Sequence, residues 1–175
     1  MWLNRGRTMG PSALVGAAAL VAIEYVANGG QLTARPAADP TFHVRLERGM
    51  CLGACPHYQV DIDAKGAVTF NGSRSYIEPS VACQGERQWN VSPSQVAHLE
   101  ALIDRSGFFR LKNAYRGDIT DMAQRVVTVT RRGRTKSVTD YAGQMAGMPQ
   151  MVIEIEDAID AAANTRACVS GEGKR

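Results

Sequence analysis

Residues 57–70 read HYQVDIDAKGAVTF, and the fold follows from how this stretch alternates. Tyr58, Val60 and Ile62 share one parity with polar residues between them, the period of a strand with one buried face. Asp63-Ala64-Lys65-Gly66 reads as a tight turn, with Gly66 available for a positive φ, and AVTF (67–70) returns as the next strand. Upstream, FHVRLER (42–48) repeats the alternation through Phe42, Val44 and Leu46. Downstream, Asn71-Gly72 is a hairpin signal, which predicts that RSYIE (74–78) folds back as a fourth strand. The first half of the domain is then a meander, and Pro79 to Trp89 is a longer irregular connection that holds Cys83.

A helix follows. Ser92 is placed to cap it, Pro93 suits the first helical position, and Gln95 completes a Ser-x-x-Gln capping box. Val96, Leu99, Leu102 and Ile103 recur at helical spacing, and Gly107 ends the helix. Phe108, Phe109 and Leu111 are expected to plug the core as the chain leaves. RVVTVT (125–130) and KSVTDY (136–141) are β-branched alternating strands joined by the basic turn Arg131 to Arg134. PQMVIEIEDAIDAAA (149–163) carries Met151 or Val152, Ile155 and Ile159 at helical spacing, with acids near its start and Asn164 and Arg166 near its end, as the helix dipole favours. The order ββββ-α-ββ-α predicts an α+β domain: a mostly antiparallel sheet with two helices packed on one face.

The 175 residues suit one globular domain, with 45% hydrophobic and 21% charged residues and a net charge of +3. A pI near 8.8 without a clustered basic and aromatic face is too mild to argue for a nucleic-acid partner, and none is expected. The basic turn Arg131 to Lys136 reads first as a solvated hairpin end, and second as a contact for an anionic surface such as lipid headgroups. Arg5 and Arg7 precede an apolar run from about Pro11 to Ile23, the grammar of a secretory signal, and the run is short for a bilayer span. The expected organisation is a signal peptide or signal anchor with linker over 1–34, a linker over 35–40, one α+β domain over 41–168 and a flexible tail over 169–175. Such a chain is exported, periplasmic or held to the inner membrane by its N-terminal segment, which is then its only membrane contact. In an oxidising compartment Cys51, Cys55, Cys83 and Cys168 are an even set that can pair in three ways.

MCLGACPHYQV (50–60) is where chemistry would sit. Cys51, Cys55, His57 and Cys83 contain enough ligands for a tetrahedral zinc site, although no second close Cys/His pair follows and export disfavours thiolate ligands. A redox or nucleophilic cysteine would want a helix start to lower its pKa, whereas a strand follows here. His57 falls on the same side of that strand as Cys55 and would be its base; an exposed strand-edge imidazole is the plainer reading. Asp121 in the 115–122 loop and Asp140 beside Tyr141 are candidate acid–base groups, set against the ordinary use of loop aspartates in turns.

Cys51-Leu52-Gly53-Ala54-Cys55-Pro56-His57-Tyr58 resembles the Cys-x-Gly-x-Cys-Pro-x-Tyr signature of a bacterial domain-of-unknown-function family, often exported and sometimes next to ankyrin-type repeats. Gly53, Pro56 and Tyr58 carry the motif, and Tyr115 and Tyr141 fall where the family has such residues. The resemblance spans roughly Thr41 to Ala163 and implies the fold without an activity or a cofactor. Cys83 and Cys168 are additions to the family pattern, which implies that they were gained as a pair. The expected pairing is Cys51–Cys55, worth about 2 kcal/mol by loop entropy, with Cys83–Cys168, worth ~4–5 kcal/mol. The function expected is a disulfide-stabilised binding or structural module with an envelope protein or ligand as partner. The alternative is a small enzyme or thiol-redox protein using Cys51 and Cys55 with Asp121 and Asp140.

Overall fold

Alternation in the sequence becomes a two-layer domain in the computed structural model, which describes residues 39–73 and 81–170. The chain divides into Met1–Arg35 and Pro36–Arg175, and every described residue belongs to the second unit. The expected export segment and the strand expected over 74–78 lie outside the described residues.

Among the described residues there are seven strands, β1 (His43–Arg48), β2 (Tyr58–Asp63), β3 (Ala67–Gly72), β4 (Gly85–Asn90), β5 (Ala114–Arg116), β6 (Arg125–Arg131) and β7 (Arg134–Tyr141). They form one sheet in the order β4-β3-β2-β1-β6-β7-β5. All neighbours are antiparallel except β5 and β7, which are parallel. The helices are α1 (Pro93–Ser106), α2 (Met151–Ala163) and the short α3 (Arg166–Ser170). α3 runs two residues past the domain edge expected at 168. No helix among the described residues is long and apolar enough to cross a membrane.

Register explains the layering. Val44 pairs with Ile62 and Val129, and Leu46 with Val60 and Val127, so one face of the sheet is a continuous apolar surface. Phe70 extends it between Tyr58 and Trp89, with ring centroids 5.0 and 6.1 Å away. α1 brings Val96, Leu99 and Ile103 to this core and α2 brings Val152, Ile155 and Ile159, all buried. Each such side chain contributes roughly 1.5–3 kcal/mol. The capping box forms as expected: the Ser92 N–H donates to Gln95 Oε1 at 3.0 Å and the Gln95 N–H to Ser92 Oγ at 3.3 Å. Gly107 ends α1 in the left-handed region at φ 66°, and Phe108 is fully buried just beyond it, whereas Phe109 and Leu111 are half-buried against the core.

Two expectations about the meander are corrected. Asn71-Gly72 is not a turn: both residues continue β3, facing Gln59 and Tyr58 on one side and Glu86 and Gly85 on the other. The connection after it is not irregular throughout, because Gly85–Asn90 forms the edge strand β4. Gly72 is required for space. A Cβ there would collide with the Cys83 carbonyl oxygen and come within 2.8 Å of a Val81 methyl. Gly72→Ala is therefore expected to cost about 3 kcal/mol of unfolding free energy, because backbone cannot yield as a side chain does. Asn71→Ala, at an exposed position, should cost less than about 0.5 kcal/mol. Urea unfolding of both variants checks this, and the reverse ranking would restore the turn reading.

Candidate functional site

At one end of the sheet the apolar parity is broken by charge. Arg48 follows Val44 and Leu46 in step; Arg125 stands in step with Val127 and Val129, and Asp140 with Val138. The register sets Tyr58, Arg48, Arg125 and Asp140 side by side across β2, β1, β6 and β7. α2 meets this row with Glu156 and Asp160. Glu156 occupies a core position of the helix, between Val152 and Ile159.

Two linked clusters result. Asp160 is the hub of the first: Arg48 donates to its Oδ2 from Nη2 at 2.7 Å and from Nε at 3.0 Å. The Tyr58 hydroxyl donates to Oδ1 at 2.6 Å and Thr165 Oγ1 donates to the same oxygen at 2.9 Å. Burial, then the Asp160 carboxylate, raises the Tyr58 phenol pKa, so Tyr58 is held as a proton donor. In the second cluster Arg125 lies 2.5 Å from Asp140 Oδ2 and 3.1 Å from Glu156 Oε2. Both carboxylates are 1% exposed. Asp140 Oδ1 also accepts the Gly143 N–H at 2.7 Å. One guanidinium thus serves two buried carboxylates, and among the described residues Glu156 has no other hydrogen-bond donor on either oxygen. Burial pushes Glu156 up to about 7, with Arg125 opposing and Asp140 assisting.

A groove of about 1290 Å³ lies over this end of the sheet. Arg48, Tyr58, Arg125 and Asp160 line it, with the Cys51–Cys55 loop, Asp121 and Met122 on one side and the end of α2 with α3 on the other. Leu52 and Met122, 83% and 46% exposed, give it an apolar rim. The cysteine loop is held there by the Gly49 N–H donating to the Gln124 carbonyl at 2.7 Å and the Leu52 N–H to that of Asp121 at 3.2 Å. Cys51 and Cys55 are bonded to each other, with Cα atoms 5.8 Å apart. Cys83 is bonded to Cys168 across 85 residues, and beside that bond the Cys83 N–H donates to the Cys168 carbonyl at 2.9 Å, tying α3 to the chain before β4. With all four sulfurs in these bonds, the Cys51, Cys55, His57 and Cys83 set does not bind zinc in this form.

The remaining sequence candidates are divided between places. Asp121 and Pro56 line the groove, and Gly53 stands at the exposed tip of the cysteine loop with φ 136°. Asp121 sits at φ 65° and contributes its carbonyl to Leu52. Asp140 does not line the groove; it is the buried partner of Arg125 beneath it. His57 lines a separate small depression with Glu47, Gln59 and Ser73. Tyr115 is buried, its hydroxyl accepting the Lys112 N–H at 3.2 Å, and the Tyr141 hydroxyl accepts the Met122 N–H at 3.5 Å. Arg48, Arg125, Glu156 and Asp160 were not singled out from sequence. Their signal was present as charge at positions where parity or helical spacing demanded an apolar side chain.

Fold and groove together define a disulfide-bridged α+β domain with a polar-floored, apolar-rimmed cleft at one end of its sheet. Residues 42–163 match the model of a domain of unknown function, DUF6438, and the chain belongs to that family. The matched span contains three of the four cysteines and leaves Cys168 outside it. Comparison with curated proteins finds no match.

Two predictions follow from the clusters. Asp160→Asn is expected to lower stability by about 2 kcal/mol and Tyr58→Phe by about 1 kcal/mol. The double variant should fall short of their sum by at least ~0.5 kcal/mol, because Tyr58→Phe removes the bond that Asp160→Asn strips of its charge; strict additivity in denaturant unfolding would show that they do not act as a unit. For Glu156 the folded pKa lies above the ordinary glutamate value of 4.5. Its neutral form therefore adds stability that is complete below about 4.5 and is lost as pH rises through about 7. Glu156→Gln should remove that loss, making the variant more stable relative to wild type at pH 8 than at pH 5, by on the order of 2 kcal/mol. Melting at the two pH values measures it, and a pH-independent difference would contradict the buried-acid reading.

Proposed function

We propose that this chain is an exported, disulfide-stabilised binding or structural module of the bacterial envelope, whose protein partner or ligand seats in the groove beside the Cys51–Cys55 loop. The observation that carries this reading is that most reactive groups at the groove are engaged with one another, while Asp121 accepts from its neighbour Thr120 at 3.1 Å. Both cysteines are in a disulfide, and the Arg48, Tyr58 and Asp160 side chains are hydrogen-bonded together. Asp140, the second candidate acid, is buried under Arg125. Such a floor is preorganised and shaped, and the apolar rim at Leu52 and Met122 offers contact area without chemistry. Two disulfides suit an oxidising compartment, where the expected N-terminal export segment would deliver the domain. The thiol-redox alternative retains one favourable observation, that the Cys51–Cys55 bond lies at the groove rather than in the core.

Non-reducing peptide mapping of the alkylated full-length protein, taken from the cells that make it, tests the reading. The expected result is Cys51–Cys55 and Cys83–Cys168 as stable linkages in the envelope fraction. Recovery of all four thiols free would overturn the oxidising compartment. A Cys51–Cys55 pair found partly reduced while Cys83–Cys168 stays intact would favour the redox alternative.

A further inference from the structure

The opposite end of the sheet carries a different surface. Antiparallel pairing puts Arg48 beside Arg125 at the groove end and His43 beside Thr130 at the other, next to the β6–β7 turn. Around that turn Arg110, Arg132 and Arg134 are exposed and line one shallow depression with the half-buried Phe109. Arg134 stacks on Phe109 with its guanidinium 4.9 Å from the ring centroid, and Lys136 and Arg134 line the neighbouring depression. Nearby acids are already used. Glu100 and Asp104 pair with Arg131. Asp39 accepts from Thr41 through one oxygen and from the Arg132 N–H, at 2.6 Å, through the other. Among the described residues no ion pair engages Arg110, Arg132 or Arg134, and all three are exposed.

We infer that this corner docks on anionic phospholipid membrane, its arginines meeting headgroup phosphates while Phe109 supplies an apolar contact at the interface. The buried side chain in this depression, Arg131, is turned to Glu100 and Asp104, and among the described residues no second buried polar side chain joins it to converge on a single anion. The charges are spread over an exposed hairpin end and two adjoining shallow depressions, which matches a surface of many phosphates better than one bound phosphate. Docked in this way, the domain holds its groove at the end of the sheet away from the lipid.

Cosedimentation of the full chain with phosphatidylcholine vesicles, and with an equimolar mixture of phosphatidylcholine and phosphatidylglycerol, provides the test. Wild type should partition more strongly to the anionic vesicles, and R132Q/R134Q should weaken that partition roughly twenty-five-fold, about fivefold per arginine. R132K/R134K should retain it, and an unchanged melting temperature verifies that the Gln variant is folded. R87Q/R116Q, which removes equal charge from exposed positions on β4 and β5, should behave as wild type. Equal losses in R132Q/R134Q and R87Q/R116Q would reduce the effect to net charge and overturn the assignment. No loss in R132Q/R134Q would place the lipid preference in the N-terminal segment and overturn it equally.

Discussion

Arginine at apolar parity governs this domain. Arg48, Arg125 and Arg131 each point from the sheet into the layer where its neighbours are valines and leucine, and each is answered by carboxylates on a helix. Three arginines drawn partly out of water would each be costly unless paired and hydrogen-bonded. The pairing therefore constrains where the helices can lie. α2 must present Glu156 and Asp160 to the groove end, and α1 must present Glu100 and Asp104 to the other. The apolar contacts between them supply the driving force but tolerate sliding; the ion pairs supply register. That division has a cost at Glu156, whose buried carboxyl shares one guanidinium with Asp140.

The groove is a by-product of the same constraint. Where the apolar core ends, the charged row provides a floor that needs no further covering, and the cysteine loop and α3 can stand apart above it. Each of those walls is fastened by its own disulfide, one local and one long-range. The site's shape thus rests on covalent bonds at its rim and on electrostatics at its floor, and little of it depends on loop packing.

Much of this was legible in the sequence, for identifiable reasons. Strands such as β1, β2, β6 and β7 declare themselves by alternation, α1 by its capping box and glycine stop, and α2 by its spacing. β4 does not: GERQWN has one apolar side chain, Trp89, because an edge strand needs only its backbone to pair. β5 is three residues long and owes its existence to a parallel partner in β7. Asn71-Gly72 misled because the dipeptide's usual reason, positive φ, was absent, and the glycine answers instead to the approach of Cys83. Of the candidates singled out by sequence, Cys51, Cys55 and Asp121 line the groove, whereas His57 and Asp140 do not. The arginine and carboxylate floor was not, since a charge at apolar parity acquires meaning only when a partner some hundred residues away in the chain is known.

The strand order has a consequence for how the molecule is made. β1, β2 and β3 are contiguous in both sequence and space, yet each outer edge of this meander is closed by a strand encoded later: β3 by β4, and β1 by β6. Taken N-terminus first, the initial three strands can assemble while both borders are still open to any passing strand. One border is sheathed early. The other waits for residues beyond 125, and the covalent clasp waits for residue 168. The span between these moments is when the nascent domain is most exposed to pairing with a neighbour, and a chaperone that guards it would need to cover the β1 side.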